Sequence, residues 1–381
     1  MIFITGIVIA LFLELLLLSK KGKAQSDTIL ALWMFFIGLH LFLFYVLYAG
    51  LDNAFPISIG MSFPLPLVHG PFLYLYVSTL TDQQPKRKIL QLIHFIPPIL
   101  EYLYLIPFFL MPASDKIAVL KSRGRGHEVF MAIYLALIVV SGITYVTWSL
   151  LILHRHSRNI KERFSSIEKI NLNWLRYLVG GMAFIWFVIL CATLIFSESL
   201  RTNGLESDTF IYTAVVLFVC CLGFFGLKQT NVFVAQTTQP TLLQEKEPLG
   251  LGESIGAEKY AKSGLRNEEA GQLHRNLIEY MKVEKPYLDS DLSLPKLVEQ
   301  FGVHPNYLSQ VINEREHKNF YDYVNTYRVE EFKRLISDPQ KRNLTILALA
   351  FECGFKSKSA FNKCFKKMTG QTPSEYAKLL K

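Results

Sequence analysis

The sequence predicts an all-α protein in two parts, a bundle of seven transmembrane helices followed by a domain with two helix-turn-helix units. Three observations predict it. Seven apolar runs crowd the chain before Lys228, the last hundred or so residues twice repeat a capped helical pattern broken by glycine, and a polar stretch rich in Pro and Gly lies between.

Of 381 residues, 51% are hydrophobic, with 29 Phe and 18 Tyr. That exceeds a soluble average and points to lipid. The net charge of +9 suits phospholipid headgroups and nucleic acid alike. Cys191, Cys220 and Cys221 sit in hydrophobic runs, and Cys353 and Cys364 on the inner sides of predicted helices, without CxxC or zinc spacing. All five read as reduced packing residues, and neither a metal nor a cofactor is expected. No HExxH, GxSxG or phosphate loop occurs, so an enzyme is not expected either.

The apolar runs fall near 2–18, 28–50, 57–80, 89–112, 129–153, 174–197 and 209–228. Each is close to the ~20 residues a helix needs to cross the hydrocarbon core. No basic residue precedes the first run, and Lys20, Lys21 and Lys23 follow it, which argues against a cleaved signal peptide and places the N-terminus outside. Lys86, Arg87 and Lys88, and later Arg155, Arg158, Lys161, Arg163 and Lys169, then fall inside. Lys116, Lys121, Arg123 and Arg125 break the rule on the outer side. Seven spans starting outside end inside, on the side where DNA is.

His40, His69 and Glu101 each lie about a dozen residues into spans two, three and four, near one depth. Ionisable groups there are costly and are sensor candidates, with plain interhelical hydrogen bonding as the alternative. Pro64, Pro66, Gly70 and Pro71 crowd span three, and Pro97, Pro98 and Pro107 span four. Such breaks suit a ligand pocket or a moving element.

From Gln229 to about Ala257 the chain turns polar and aperiodic, a linker of roughly 30 Å end to end. After a helix with Leu273, Leu277 and Met281, Ser293 opens a helix that buries Leu294, Leu297, Val298 and Phe301. Gly302 breaks it, and Pro305 starts a second helix with Leu308, Val311 and Ile312 inward and Asn306, Ser309, Gln310 and Asn313 outward. Residues 319–336 read as a connector helix of roughly 25 Å, a size that suits two readers about one DNA turn apart. In the second unit Thr345 caps a helix with Ile346, Leu349 and Ala350 inward, and Gly354 makes the tight turn. Ser357 then caps a helix with Phe361 and Phe365 inward and Lys358, Ser359, Asn362 and Lys363 outward. Gly370 ends that helix, and Thr372-Pro373-Ser374-Glu375 forms a capping box.

From Glu258 onward the chain resembles the DNA-binding domain of the AraC family of bacterial transcription regulators. ALAFECGFKSKSAFNKCFKKMTGQTPSEYA carries nearly the whole pattern of the second unit, with Gly354, Phe355, Phe361, Phe365, Gly370, Pro373 and Tyr376 in register. The resemblance puts base-reading positions on Asn306, Ser309 and Gln310, and on Lys358, Ser359, Asn362 and Lys363; Lys366 and Lys367 are candidates for phosphate contacts. The chain departs from the family at Glu316-His317, where Gly is usual, at Phe332, where a small residue is usual, and at Ala377. The seven spans resemble, more weakly, sensor halves of other bacterial membrane proteins.

The resulting expectation is a one-component regulator: a membrane sensor over 1–228, a linker over 229–257 and an AraC-like domain over 258–381, with its two units near 293–314 and 345–368. Its expected partners are double-stranded DNA, the lipid bilayer, a small-molecule signal, and a second copy in a homodimer. The rivals are a membrane enzyme or transporter with a regulatory DNA-binding domain, and a regulator released by proteolysis in the linker.

Overall fold

The computed structural model describes residues 2–85, 87–122, 126–195, 211–225 and 266–380. The linker expected at 229–257 lies outside them, as do Arg123 to Arg125 and Gly204. All named elements are helical, and the only extended pairing among the described residues is a bridge between Phe164 and Ser293. The chain divides into two compact units, residues 1–155 with 172–238, and residues 156–171 with 239–381.

In the first unit α1 (Ile2–Ser19) and α2 (Gln25–Tyr48) form a hairpin whose turn is held by Asp27. Its carboxylate accepts from Lys20 at 2.6 Å and from the Ala24 backbone at 2.8 Å. These two helices, α8 (Glu128–Arg163) and α9 (Asn173–Ile195) are long and apolar enough to cross a membrane. Their outward faces are apolar as well: Val8, Phe12 and Leu15 on α1, Val140 and Ile143 on α8, and Phe184 and Phe187 on α9 are all exposed. Water disfavours so much exposed apolar surface, and lipid does not.

The other three expected spans form shorter helices. Span three starts late, as α3 (Pro66–Leu80), because Pro56, Pro64 and Pro66 lack the N–H a helix needs; residues 51–58 fold into two short 3-10 turns instead. Span four is divided into α4 (Lys88–Leu92), a 3-10 turn, α5 (Ile96–Tyr104) and α6 (Ile106–Phe109), with a proline in the first turn of both α5 and α6. Beyond α7 (Ala113–Lys121) and the two long helices, α10 (Ile211–Phe225) is the described part of the last run. The core of the unit centres on Trp33, Met34, Leu41, Leu73, Leu175 and Leu222, all fully buried.

In the second unit α14 (Phe320–Ile336) is the spine. Phe320, Tyr323 and Val324 join one core with α11 (Asn267–Val283), α12 (Leu294–Phe301) and α13 (Pro305–Glu316). Tyr321, Val329, Phe332 and Leu335 join a second core with α15 (Ile346–Glu352), α16 (Lys358–Thr369) and α17 (Pro373–Leu379). Phe332 is buried, with ring centroids 4.6 Å from Phe361 and 5.4 Å from Phe365. Phe332 and the small Ala350 belong to this same core.

Candidate nucleic-acid interface and buried polar layer

Both helix pairs are built by the expected caps. Ser293 Oγ accepts from Lys296 N at 3.5 Å, Thr345 Oγ1 from Ala348 N at 3.1 Å and Ser357 Oγ from Ala360 N at 3.1 Å. Thr372 and Glu375 exchange side-chain to backbone bonds of 2.7 and 3.3 Å, which opens α17. Gly354 is required twice over. Its φ of +88° is costly for any L side chain, and a Cβ there would collide with the Tyr287 carbonyl and come within 2.8 Å of the Leu288 carbonyl.

The outer face of α16 is open. Lys358, Ser359, Asn362, Lys363, Lys366 and Lys367 are all exposed, while Phe361, Cys364 and Phe365 are buried behind them. Asn presents the donor and acceptor that match adenine in the major groove, and Lys is a donor suited to guanine or phosphate. Lys367 is partly committed, lying 2.7 Å from Asp322. Burial pushes the Cys353 thiol up to about 12 and raises that of Cys364, so both remain protonated packing groups.

The face of α13 differs from its expectation. Asn306 is exposed, but Ser309 is half-buried and receives the Asn313 amide on its carbonyl at 2.9 Å. Gln310, expected on the outside, is buried, and its amide nitrogen donates to Glu314 one turn on, at 3.1 and 3.2 Å. Its Oε1 is buried with no hydrogen-bond partner among the described residues. The helix ends at His317, whose φ of +52° takes the left-handed conformation that a glycine would adopt more cheaply. Glu316 beside it bonds His274 of α11 at 2.8 Å.

A helix-turn-helix family model, described as "Helix-turn-helix domain", matches residues 297–379. Over 96 residues the chain is 31% identical to the uncharacterized HTH-type transcriptional regulator YijO of Escherichia coli, and over 94 residues 32% identical to YobQ of Bacillus subtilis, which carries the same description. A Staphylococcus aureus regulator of that description, SACOL0084, is 34% identical over 90 residues. These alignments cover 24%, 25% and 24% of this chain, and only 33%, 38% and 12% of the respective relatives. The C-terminal part is therefore similar to helix-turn-helix transcriptional regulators.

In the first unit the structure brings two of the three midplane candidates together. His40 Nδ1 and His69 Nε2 are 3.1 Å apart, with rings nearly parallel. Trp33 Nε1 donates to His69 Nδ1 at 3.3 Å, and His40 Nε2 meets the Tyr212 hydroxyl at 3.1 Å. An indole N–H can only donate, so His69 accepts at Nδ1 and carries its proton on Nε2. It then donates to His40, which donates onward to Tyr212, and both imidazoles are neutral. Trp33 and Tyr212 were not legible as members of this chain, since they come from α2 and α10 with nothing in their local pattern to mark them.

Both histidines line a cavity of about 450 Å³ with Tyr134, Trp186 and Tyr212. An adjoining cavity of about 520 Å³ shares Leu47, Ser62, Phe63 and Met131 with it, and both are lined mostly by apolar groups. Glu101 lines neither and is not joined to the histidines. Its two carboxylate oxygens are buried with no hydrogen-bond partner among the described residues. Equal depth along three helices does not determine rotation about each helix axis, which is why the expected trio reduces to a pair.

Proposed function

We propose that the chain is a membrane-embedded one-component transcription regulator with an AraC-like DNA-binding domain of two helix-turn-helix units. The observation that carries this reading is the open basic and amide face of α16, backed by buried phenylalanines, within a region similar to helix-turn-helix regulators. In this reading α16 enters the major groove with Lys358, Ser359, Asn362 and Lys363 toward base edges and Lys366 and Lys367 toward phosphate, and α13 contributes Asn306 and Ser309. Gln310 would have to leave Glu314 to take part. Selecting sites from random duplexes with the full chain in nanodiscs tests it, and failure to enrich any sequence would refute it.

The apolar unit is the sensor in this proposal, placed in the inner membrane with its N-terminus outside and the reader in the cytoplasm. Reporter fusions after Lys88 and Lys169 should report cytoplasm, and fusions after Gly204 the outside. The paired cavities favour an apolar small molecule, and since all four ring nitrogens of His40 and His69 are already engaged, a polar group on it would have to replace one of those hydrogen bonds. A ligand acts by binding one arrangement of the helices better than another, and two readers in a homodimer would then change their pairing. His69→Ala removes the centre of the hydrogen-bonded chain. It should lock promoter output in one state at normal membrane abundance, and an unchanged response would place sensing elsewhere.

A further inference from the structure

Residues 164–168, which follow α8 in the chain, belong to the same compact unit as α11 to α17. Phe164 forms an antiparallel bridge with Ser293, the cap of α12. Ser165 is the centre of the contact and is 1% exposed. Its backbone N–H and its hydroxyl both donate to the Leu292 carbonyl, at 3.3 and 2.6 Å. Its carbonyl accepts from Asn325 Nδ2 and Arg328 Nη1, each at 3.1 Å, and its Oγ accepts from Arg328 Nη2 at 3.0 Å.

Arg328, on the spine helix α14, is also 1% exposed. Its other three N–H groups donate to the Tyr287 carbonyl at 2.7 Å, the Asp289 carbonyl at 2.8 Å and Asn325 Oδ1 at 3.2 Å. All five donors of the guanidinium are therefore satisfied, two of them by Ser165, and none by a carboxylate. Burial pulls this group down to about 10, so it stays charged at neutral pH. A buried charge left short of two acceptors is strongly disfavoured, and the arrangement depends on the segment being present. Two residues on, Ile167 packs against the second core, beside the cluster of Phe332, Phe361 and Phe365.

One short segment thus touches the cap of the first helix pair, the polar stripe of the spine and the core of the second pair. We infer that residues 164–168 brace the two helix pairs and set the spacing and angle between α13 and α16. The bracing role rests on the regulator reading above; the docking of the segment does not.

The docking is tested in the full chain in nanodiscs, with Cys191, Cys220 and Cys221 replaced by Ala, the buried Cys353 and Cys364 retained, and a protease site placed in 240–250. Antiparallel bridge partners have Cα atoms about 4.5 to 5.5 Å apart, within reach of a disulfide. Phe164→Cys with Ser293→Cys, oxidised by copper phenanthroline, which accepts the two electrons as two thiols become one disulfide, should keep the cleaved halves in one band until a reductant is added. Each single-cysteine control should separate at once. A double variant that separates as its controls do would overturn the docking. The brace is tested by half-site selection with varied spacers. The parent chain should prefer one spacing at least tenfold over spacings two base pairs away, and Ser165→Gly with Ile167→Asp should reduce that preference to threefold or less. An unchanged preference would overturn the brace while leaving the docking in place. Crosslinking in the double variant together with a parent chain that selects no DNA site would overturn the regulator reading, and the bracing role with it, while the docking stands.

Discussion

The two helix pairs share a plan and differ in what they leave available. On α16 all six candidate contact residues are exposed, and among the described residues only Lys367 is paired to an acidic side chain. On α13 Gln310 is buried and bonded to Glu314 and Ser309 is engaged by Asn313, so of its three candidates only Asn306 is exposed. The acidic partner matters most, since a carboxylate beside the groove repels phosphate. Similar helix-turn-helix geometry therefore does not imply equal shares of binding. The second pair should carry most of the affinity and the first a smaller, adjustable part of the specificity.

The most disruptive way to break this comparison is to collapse the second pair. Gly354→Ala adds left-handed strain and a collision with backbone carbonyls that cannot move cheaply, so it should cost about 3 kcal/mol or more of stability. Thermal melting of the full chain reads it, and a melting point within a degree of wild type would show that the turn relaxes freely.

Next comes the unequal division of base reading. Asn362→Ala and Lys363→Ala should each weaken specific binding by about 1–3 kcal/mol, against much smaller losses on random duplexes. Gln310→Ala should cost less than either. Equal losses at Gln310 and Asn362 in a titration at fixed salt would mean that Gln310 leaves Glu314 on binding and that the two faces are equivalent.

Phosphate contacts should show the same selectivity within α16. Lys366→Ala should make the salt dependence shallower by about one ion, and Lys367→Ala by less, because Asp322 already neutralises it. Asp322→Asn should then bring Lys367 up to the full effect. A slope unaffected by Asp322→Asn would show that the pair opens in the complex at no cost.

Two stability effects are smaller. His317→Gly should stabilise the end of α13 by about 0.5–1 kcal/mol, since it removes the left-handed strain that Gly370 already spares α16. At Glu331, hydrogen bonds from Arg334, with help from Lys285, hold the carboxyl below its ordinary range. A depressed folded value stabilises fully above the unfolded carboxylate value and is lost as pH falls through the folded one. Glu331→Gln should therefore lower stability at neutral pH and flatten its loss in acid, and identical acid limbs would assign that loss to other carboxylates.

The sequence by itself determined what is decided within a turn or two of the backbone. Ser293, Thr345, Ser357 and Thr372 cap their own helices, Gly302, Gly354 and Gly370 take the positive φ values, and the spacing of Phe361 and Phe365 sets which face of α16 is outward. In the apolar half the starts of α1, α2, α8 and α9 were legible to within about three residues, whereas α8 runs ten residues past its apolar run to Arg163, and α3 and α4 to α6 were misplaced where prolines intervened. Tertiary structure decided everything that depends on how separate elements rotate and approach. It joined His40 and His69 to Trp33 and Tyr212 and left Glu101 out, turned Gln310 inward, and brought Ser165 to Arg328 across 163 positions of sequence. A hydrogen bond between distant residues leaves no period in either segment, because its donor and acceptor are ordinary polar groups until packing removes the water between them.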